Sequence, residues 1–344
     1  MGQAISKLTI KGYKSIRSLE NFDLRNLNIL IGPNGGGKSN FVSFFEFLRA
    51  VSEEKGLPNF YVERKGGADR LLYWGSKVTQ SIKVELIINS LPEYKNEFCV
   101  TVNDKFSSSS QIISAGWNRK PKIQDVEKNF SGFSVYHFHD TSDFASVRRH
   151  CSKRDYEYLR PDASNLAAFL LFLRKKHERQ YQHIRETVQL AAPFFDDFLL
   201  RDSLDNPDET LLEWRQKGSD YPFHPSQISD GTLRFICLAT ALLQPNPPST
   251  ILLDEPELGL HPYALTLLAG LIQKASKQTQ VIVSTQSAPL IDHFEPEDIV
   301  VVERQNGESI FKRLNRADLK VWLEDYSLGE LWQKNVFGGR PARE

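Results

Sequence analysis

Eight consecutive residues, Gly32-Pro33-Asn34-Gly35-Gly36-Gly37-Lys38-Ser39, fit the spacing G-x-x-x-x-G-K-[ST]. Glycines let successive backbone N–H groups curl round a phosphate. A helix starting where the loop ends turns its positive dipole end toward the same anion. At this spacing Lys38 reaches the β and γ phosphates of a nucleotide, and Ser39 offers its hydroxyl to Mg²⁺. Asn34, Gly35, Gly37, Lys38 and Ser39 are therefore candidate nucleotide-binding residues, with Ser39 also a metal ligand. The plain alternative is a Gly-rich turn. It is set aside by context: an apolar run at 27–31 reads as a buried strand, and residues 38–51 carry Phe41, Phe44, Phe45, Leu48 and Val51 at helical spacing.

Three further stretches could complete such a site. In Thr250-Ile251-Leu252-Leu253-Asp254-Glu255-Pro256 an apolar strand delivers two acids at its C-terminal end, where open α/β sheets bind ligands. Asp254 would hold the Mg²⁺ shell, and Glu255 would orient an attacking water. Taken singly, a strand capped by a solvated acidic turn explains it equally well. Ser229-Asp230-Gly231-Thr232 precedes an apolar helix, so the Ser229 hydroxyl and the Gly231 amide could form an anion site. A simple N-cap at Ser229 is the plain reading. Val281-Ile282-Val283-Ser284-Thr285-Gln286-Ser287 is a buried strand opening into polar residues, with Gln286 able to reach the same crevice.

The elements that must position these residues follow from patterning. Residues 5–10 alternate as a half-buried strand does. From 61 to about 136 the period is mostly two, broken by turn residues at 89–92, 103–104 and 107–110, which predicts an antiparallel β lobe that includes 133–138. From about 164 to 190 the pattern is helical, with Ser164 or Asn165 as the N-cap and Pro193 beyond the end. Apolar strands then alternate with helices (228–243, 250–253, 262–274, 281–284, 299–302), predicting a mainly parallel sheet. The fold class expected is α/β, a P-loop NTPase. One domain is expected over 1–344: a nucleotide-binding core from 1–55 and 220–315, a β lobe at 60–140, a helical lobe at 141–219 and a tail at 316–344.

Composition bounds the function. Of 344 residues, 40% are hydrophobic and 25% charged, the balance of a globular chain with no run long enough to span a bilayer. No membrane partner and a cytoplasmic location are expected. The first six residues, Met1-Gly2-Gln3-Ala4-Ile5-Ser6, lack a basic segment before an apolar one, so no secretory signal is expected; they fit the loose myristoylation pattern, but a strand leader is the plainer reading. Cys99, Cys151 and Cys237 are odd in number and far apart, which argues against a disulfide framework or a zinc site. Lys plus Arg equals Asp plus Glu at 43 each, so no dedicated basic DNA-binding domain is expected.

The order of the four stretches resembles the ABC ATPases, and their wording is closest to the SMC/RecF/OLD branch. Leu8-Thr9-Ile10-Lys11-Gly12-Tyr13-Lys14-Ser15-Ile16 is similar to that branch's opening strand and turn. The resemblance implies that Ser229-Asp230-Gly231 is a signature motif acting on ATP held by a second protomer, that 257–262 is the D-loop, and that Gln286 stands at the switch position. It implies ATP and Mg²⁺ as cofactors and a homodimer closed by ATP. The chain is also similar to a subgroup of compact bacterial ATPases with AAA-type family names, through Tyr136–Thr141, Pro161–Leu170, Leu328-Gly329-Glu330-Leu331-Trp332 and Gly338-Gly339-Arg340-Pro341. Two departures matter. The switch is usually histidine; glutamine can donate a hydrogen bond but carries no proton at neutral pH, so slow hydrolysis is expected. No clear Q-loop is present, and His139 and Asp140 are the best candidates. His137 and His139 could pair on a metal, but a packed or phosphate-side role is favoured.

The stretch between Lys38 and Ser229 carries no sustained heptads, so a head without coiled-coil arms is expected. With few residues after Gln286, the nuclease domain of OLD proteins is not expected. The favoured reading is an ATP-gated dimer that regulates a separate effector, a nuclease or toxin, in anti-phage defence or DNA repair. A stand-alone RecF-like DNA-binding ATPase is the alternative, with Arg148, Arg149, Lys153, Arg154, Arg119, Lys120 and Lys122 as candidate contacts. A transporter's ATPase subunit is the third.

Overall fold

The computed structural model describes residues 4–53, 58–88, 93–100, 104–113, 128–203 and 206–339. Met1 to Gln3 of the opening segment, the basic residues Arg119, Lys120 and Lys122, and Arg340 and Pro341 lie outside the described residues. In chain order the strands are β1 (Ile5–Tyr13), β2 (Ile16–Asp23), β3 (Leu27–Ile31), β4 (Ser81–Ile88), β5 (Glu93–Val100), β6 (Phe106–Ile113), β7 (Phe133–Tyr136), β8 (Cys151–Ser152), β9 (Phe195–Leu199), β10 (Glu209–Thr210), β11 (Glu213–Gln216), β12 (Pro222–Phe223), β13 (Thr250–Asp254), β14 (Gln280–Thr285), β15 (Ile299–Gln305) and β16 (Glu308–Arg313). Contacts divide the chain into two compact units. One is Met1–Val135 with Pro248–Asp254 and Ser276–Glu344; the other is Tyr136–Pro247 with Glu255–Ala275.

The first unit holds a six-stranded sheet in the order β16-β15-β3-β14-β13-β7. β13, β14, β3 and β15 run parallel. Their apolar runs are buried throughout, as strands covered on both faces must be. Strand β7 was expected in the antiparallel lobe, but it lies beside β13 instead. Alternation specifies that a segment is a strand and not which strand it joins.

The same unit holds a five-stranded sheet, β2-β1-β4-β5-β6, antiparallel throughout. The serine run at 107–110, expected as a turn, is the middle of β6. Cys99 pairs with Ser107, Phe98 with Ser108 and Glu97 with Ser109. Partner strand β5 supplies the order that the serines' own propensity lacks: the Ser108 hydroxyl donates to Asn96 Oδ1 at 2.9 Å, and Phe106 plugs the core.

The helix Lys38–Glu53 belongs to the core cluster that draws on both sheets. Its Phe41, Phe44, Phe45 and Phe47 are fully buried with Ile10, Val84 and Phe98 of one sheet and Leu30, Leu252, Ile282 and Val300 of the other. Ring contacts fix its rotation. Phe47 meets Phe98 edge-on at 5.0 Å, Phe45 meets Phe133 at 5.6 Å, and Phe41 meets Phe311 at 5.3 Å.

The second unit is mainly helical. Helix Glu178–Ala191 packs on Asp230–Leu243, which packs on Pro262–Ala275. Two small sheets, β12-β11-β9 and β10-β8, complete it. The helical stretch expected from 164 to 190 is broken at His177 into Leu166–Lys176 and Glu178–Ala191. Asn165 occupies the N-cap position without capping. Its side chain donates instead to the Asp155 and Tyr158 carbonyls and accepts from Arg160 N, holding the preceding loop.

Two arginines in this unit are structural. The Arg148 guanidinium is buried and donates to the carbonyls of Thr141, Pro225 and Ile228, and to Asp230 Oδ1 at 2.7 Å. That corrects its expected place among DNA contacts: a cation 5% exposed and spent on four acceptors has no face left for a phosphate. Lys153 is likewise engaged, on Asp202 at 2.5 Å and on the Pro207 carbonyl. Arg234 donates to the carbonyls of Phe138, His139 and Leu258. No helix among the described residues is long and apolar enough to cross a membrane.

Two outcomes follow from this packing. Phe47→Ala removes a fully buried ring and should cost about 3–5 kcal/mol in chemical denaturation. Arg148→Ala strands three carbonyls and should cost about 3 kcal/mol, whereas Arg149→Ala, on the surface beside it, should stay within about 0.5 kcal/mol. Equal effects of the two arginine variants would contradict the structural role.

Candidate nucleotide site

The first unit brings three strand ends to one level. In the parallel register Asp254 pairs with Ser284, Ser284 with Leu30 and Thr285 with Ile31. The C-terminal ends of β13, β14 and β3 thus place Asp254, Gln286 and Gly32 along one edge of the sheet. This is where an open α/β sheet binds its ligand.

At the end of β3 the chain enters the Gly-rich loop. Gly32 has φ 153°, and a Cβ there would strike the Val302 carbonyl of β15. Gly37 has φ 114°, and a Cβ would fall on the Ser309 hydroxyl of β16. Only glycine fits at either point. The helix begins at Lys38, so its free N–H groups face the loop. Asn34, Gly35 and Ser39 are exposed at the mouth. Lys38 is 4% exposed, with Nζ donating to the carbonyls of Gly32 at 2.8 Å and Pro33 at 3.0 Å.

The helix is held by the opening segment. Tyr13 Oη donates to the Ser43 carbonyl at 3.1 Å, and Lys14 Nζ donates to Ser43 Oγ at 2.8 Å. Burial, with the nearby Lys65 ammonium adding to it, lowers the Lys14 ammonium to about 8. Ser15 Oγ accepts from Asn40 Nδ2 at 2.7 Å and lies 2.7 Å from Ser309 Oγ, which reaches the Gly36 carbonyl at 2.7 Å. Ser15 stood in the quoted opening segment with no role assigned. Asn40 and Ser309 went unnoticed: Asn40 follows the loop motif, and Ser309 is one residue of an ordinary hairpin. Only the pairing of β15 with β16 brings Ser309 to the loop.

Asp254 Oδ1 and Ser284 Oγ, neighbours across β13 and β14, are both buried and lack a hydrogen-bond partner among the described residues. Orphaned oxygens at a ligand-binding edge are what a hydrated Mg²⁺ would satisfy. Together with the exposed Ser39 hydroxyl they are oxygen donors, the ligand chemistry that Mg²⁺ takes. Glu255 follows at once, with φ 44°. A non-glycine residue in this region stores strain, and strain of this kind gathers at functional sites. Gln286 lies beyond β14. With Ser287, Pro33, Asn34 and Trp332 it lines a cleft of about 670 Å³. Ser287 caps the short helix Ala288–Ile291, and Gly329 of the terminal helix Leu328–Gln333 donates its N–H to Asp292 at 2.6 Å. Trp332 thereby becomes a wall of the cleft, a position that its motif did not foretell.

In the second unit Ser229 is the N-cap of Asp230–Leu243, its Oγ accepting from Thr232 N at 3.2 Å. The plain reading of Ser229 is realised, and its hydroxyl remains exposed. A Cβ on Gly231 would strike the Gly259 carbonyl, so the helix start and the 257–262 loop are fitted to each other. His137 and His139 lie past the end of β7, ring centroids 6.1 Å apart, rather than within a strand. The Asp140 carboxylate accepts from Ser142 Oγ at 2.7 Å and Ser142 N at 3.1 Å, and those bonds hold it below the usual carboxylate range.

Residues 27–292 match the family described as "AAA domain, putative AbiEii toxin, Type IV TA system". No curated protein matches the chain significantly. Among solved structures the chain is similar to an Smc head bound to the C-terminal winged-helix domain of ScpA, with TM-score 0.64 and 19% identity over 91% of this chain and 99% of that one. It is similar to the Smc head with an extended coiled coil from Pyrococcus furiosus, bound to the C-terminal domain of ScpA (TM-score 0.59, 17% identity, 93% and 98% covered). A third is the Smc head with a coiled coil and joint from Pyrococcus yayanosii (TM-score 0.59, 13% identity, 93% and 99% covered). At these identities the likeness concerns the fold, while the family match covers the loop, the acidic strand and the switch strand together. The chain belongs to this AAA-domain family, and its fold is that of the Smc heads.

Proposed function

We propose that the chain binds Mg-ATP at its Gly-rich loop, hydrolyses it with Glu255, and closes as a homodimer that regulates a separate effector. The observation that carries the reading is the unpartnered, buried Asp254 oxygen at the level of the loop's own strand. Lys38 exchanges its loop carbonyls for phosphate oxygens, and the loop and helix N–H groups take the remaining charge. Ser39 and Asp254 hold Mg²⁺, which when bound neutralises charge on the β and γ phosphates. Glu255 orients the attacking water. Gln286 donates a hydrogen bond to the γ-phosphate and moves no proton, so turnover is slow. Ser229 and Gly231 of one copy contact ATP held by the other; the exposure of Ser229 at a helix N-terminus supports this. The family's description, "putative AbiEii toxin, Type IV TA system", supports a place in a toxin–antitoxin system, and an effector of the toxin or nuclease kind is the form of it proposed here. Stand-alone DNA binding is the weaker reading, since Arg148 and Lys153 are already engaged.

The test is solution mass by light scattering with Mg-ATP. Glu255→Gln should lower hydrolysis about a hundredfold or more and double its mass only with ATP. Lys38→Ala, deprived of phosphate binding, should keep one mass. A Glu255→Gln chain of unchanged mass with and without ATP would sink the composite dimer site.

A further inference from the structure

Three side chains outside the loop motif converge on it. Ser309 Oγ lies 2.7 Å from the Gly36 carbonyl and 2.7 Å from Ser15 Oγ, and Ser15 Oγ accepts from Asn40 Nδ2 at 2.7 Å. A hydroxyl has one proton, and a carbonyl can only accept. The Ser309 hydroxyl therefore shares its proton between the Gly36 carbonyl and Ser15 Oγ, and Ser15 Oγ also accepts from the Asn40 amide. The three side chains and the Gly36 carbonyl form one connected series of hydrogen bonds. The series starts on the loop's own helix, crosses the opening turn and the β16 strand, and ends on the loop.

Two further facts place this series at the loop's shape rather than at general stability. The Ser309 and Ser15 hydroxyls occupy the space where a side chain at Gly37 would stand, so loop and hydroxyls fit only together. The hairpin is also anchored without the hydroxyl, because Ser309 N donates to the Ser15 carbonyl at 2.8 Å. Removing the Ser309 hydroxyl leaves that backbone bond in place, frees the Gly36 carbonyl and leaves Ser15 Oγ with Asn40. A freed carbonyl lets the peptide between Gly36 and Gly37 rotate, and the N–H of Gly37 rotates with it.

We infer that Ser309, relayed through Ser15 to Asn40, is a positioning residue for the phosphate-binding loop, holding the Gly36–Gly37 peptide with its N–H toward the nucleotide phosphates. The inference rests on the ATP-binding reading above.

The experiment is a titration of fluorescent mant-ATP with Mg²⁺ against the wild-type chain, Ser309→Ala, Ser15→Ala and the double variant, with the melting temperature of each nucleotide-free chain. Ser309→Ala should bind about tenfold more weakly, the loss of one buried hydrogen bond. Its nucleotide-free melting temperature should stay near wild type. The double variant should bind no more weakly than Ser309→Ala, since both substitutions break one series. Unchanged affinity in Ser309→Ala overturns the inference. So does weakening that is additive in the double variant and tracks its melting temperature, which is the mark of a merely structural role. Ser15→Ala, half-buried and more easily tolerated, carries the same test should Ser309→Ala fail to fold. A wild-type chain that binds no mant-ATP overturns the ATP-binding reading itself, an outcome that any difference among the variants cannot mimic.

Discussion

A loop that turns its N–H groups toward an anion points its carbonyls the other way, and buried carbonyls need donors. Everything at this site depends on that requirement. Gly32 and Pro33 give their carbonyls to Lys38, and Gly36 gives its carbonyl to Ser309. One donor belongs to the loop itself. The other comes from a hairpin near the far end of the chain. The loop's shape is thus a property of the folded unit and not of eight residues.

Donors hold a loop in place only if the elements carrying them are rigid. Here rigidity comes from aromatic packing. Four phenylalanines of Lys38–Glu53 lock that helix among both sheets of the first unit, and Tyr13 and Lys14 tie its next turn to the opening strand. The parallel register of β3, β14 and β13 then sets Leu30, Ser284 and Asp254 at one level, with Gly32 and Gln286 just beyond their strand ends. Core packing and site geometry are therefore one problem. The helix that fills the core is the helix whose first residues are Lys38 and Ser39.

In the second unit the same economy uses arginine. Arg148 and Arg234 bind backbone carbonyls where a segment has no regular partner, including those just before Ser229 and within 257–262. Guanidinium suits this use because it presents five donors in a fixed plane and never loses its charge. A sequence count of basic residues sees such a side chain as surface charge. Burial turns it into a backbone strut.

Sequence alone determined what depends on local order. The loop motif, the helix after it, the apolar strands leading to Asp254 and Gln286, and the cap at Ser229 were all legible, because dihedral preference, period and spacing act over a few residues. What depends on partners was not legible. The assignment of β7 to the six-stranded sheet, the serine-rich strand β6, the burial of Arg148 and the arrival of Ser309 at Gly36 were decided by tertiary structure. Each turns on which distant segment lies alongside, and no periodicity within a segment encodes the identity of its neighbour.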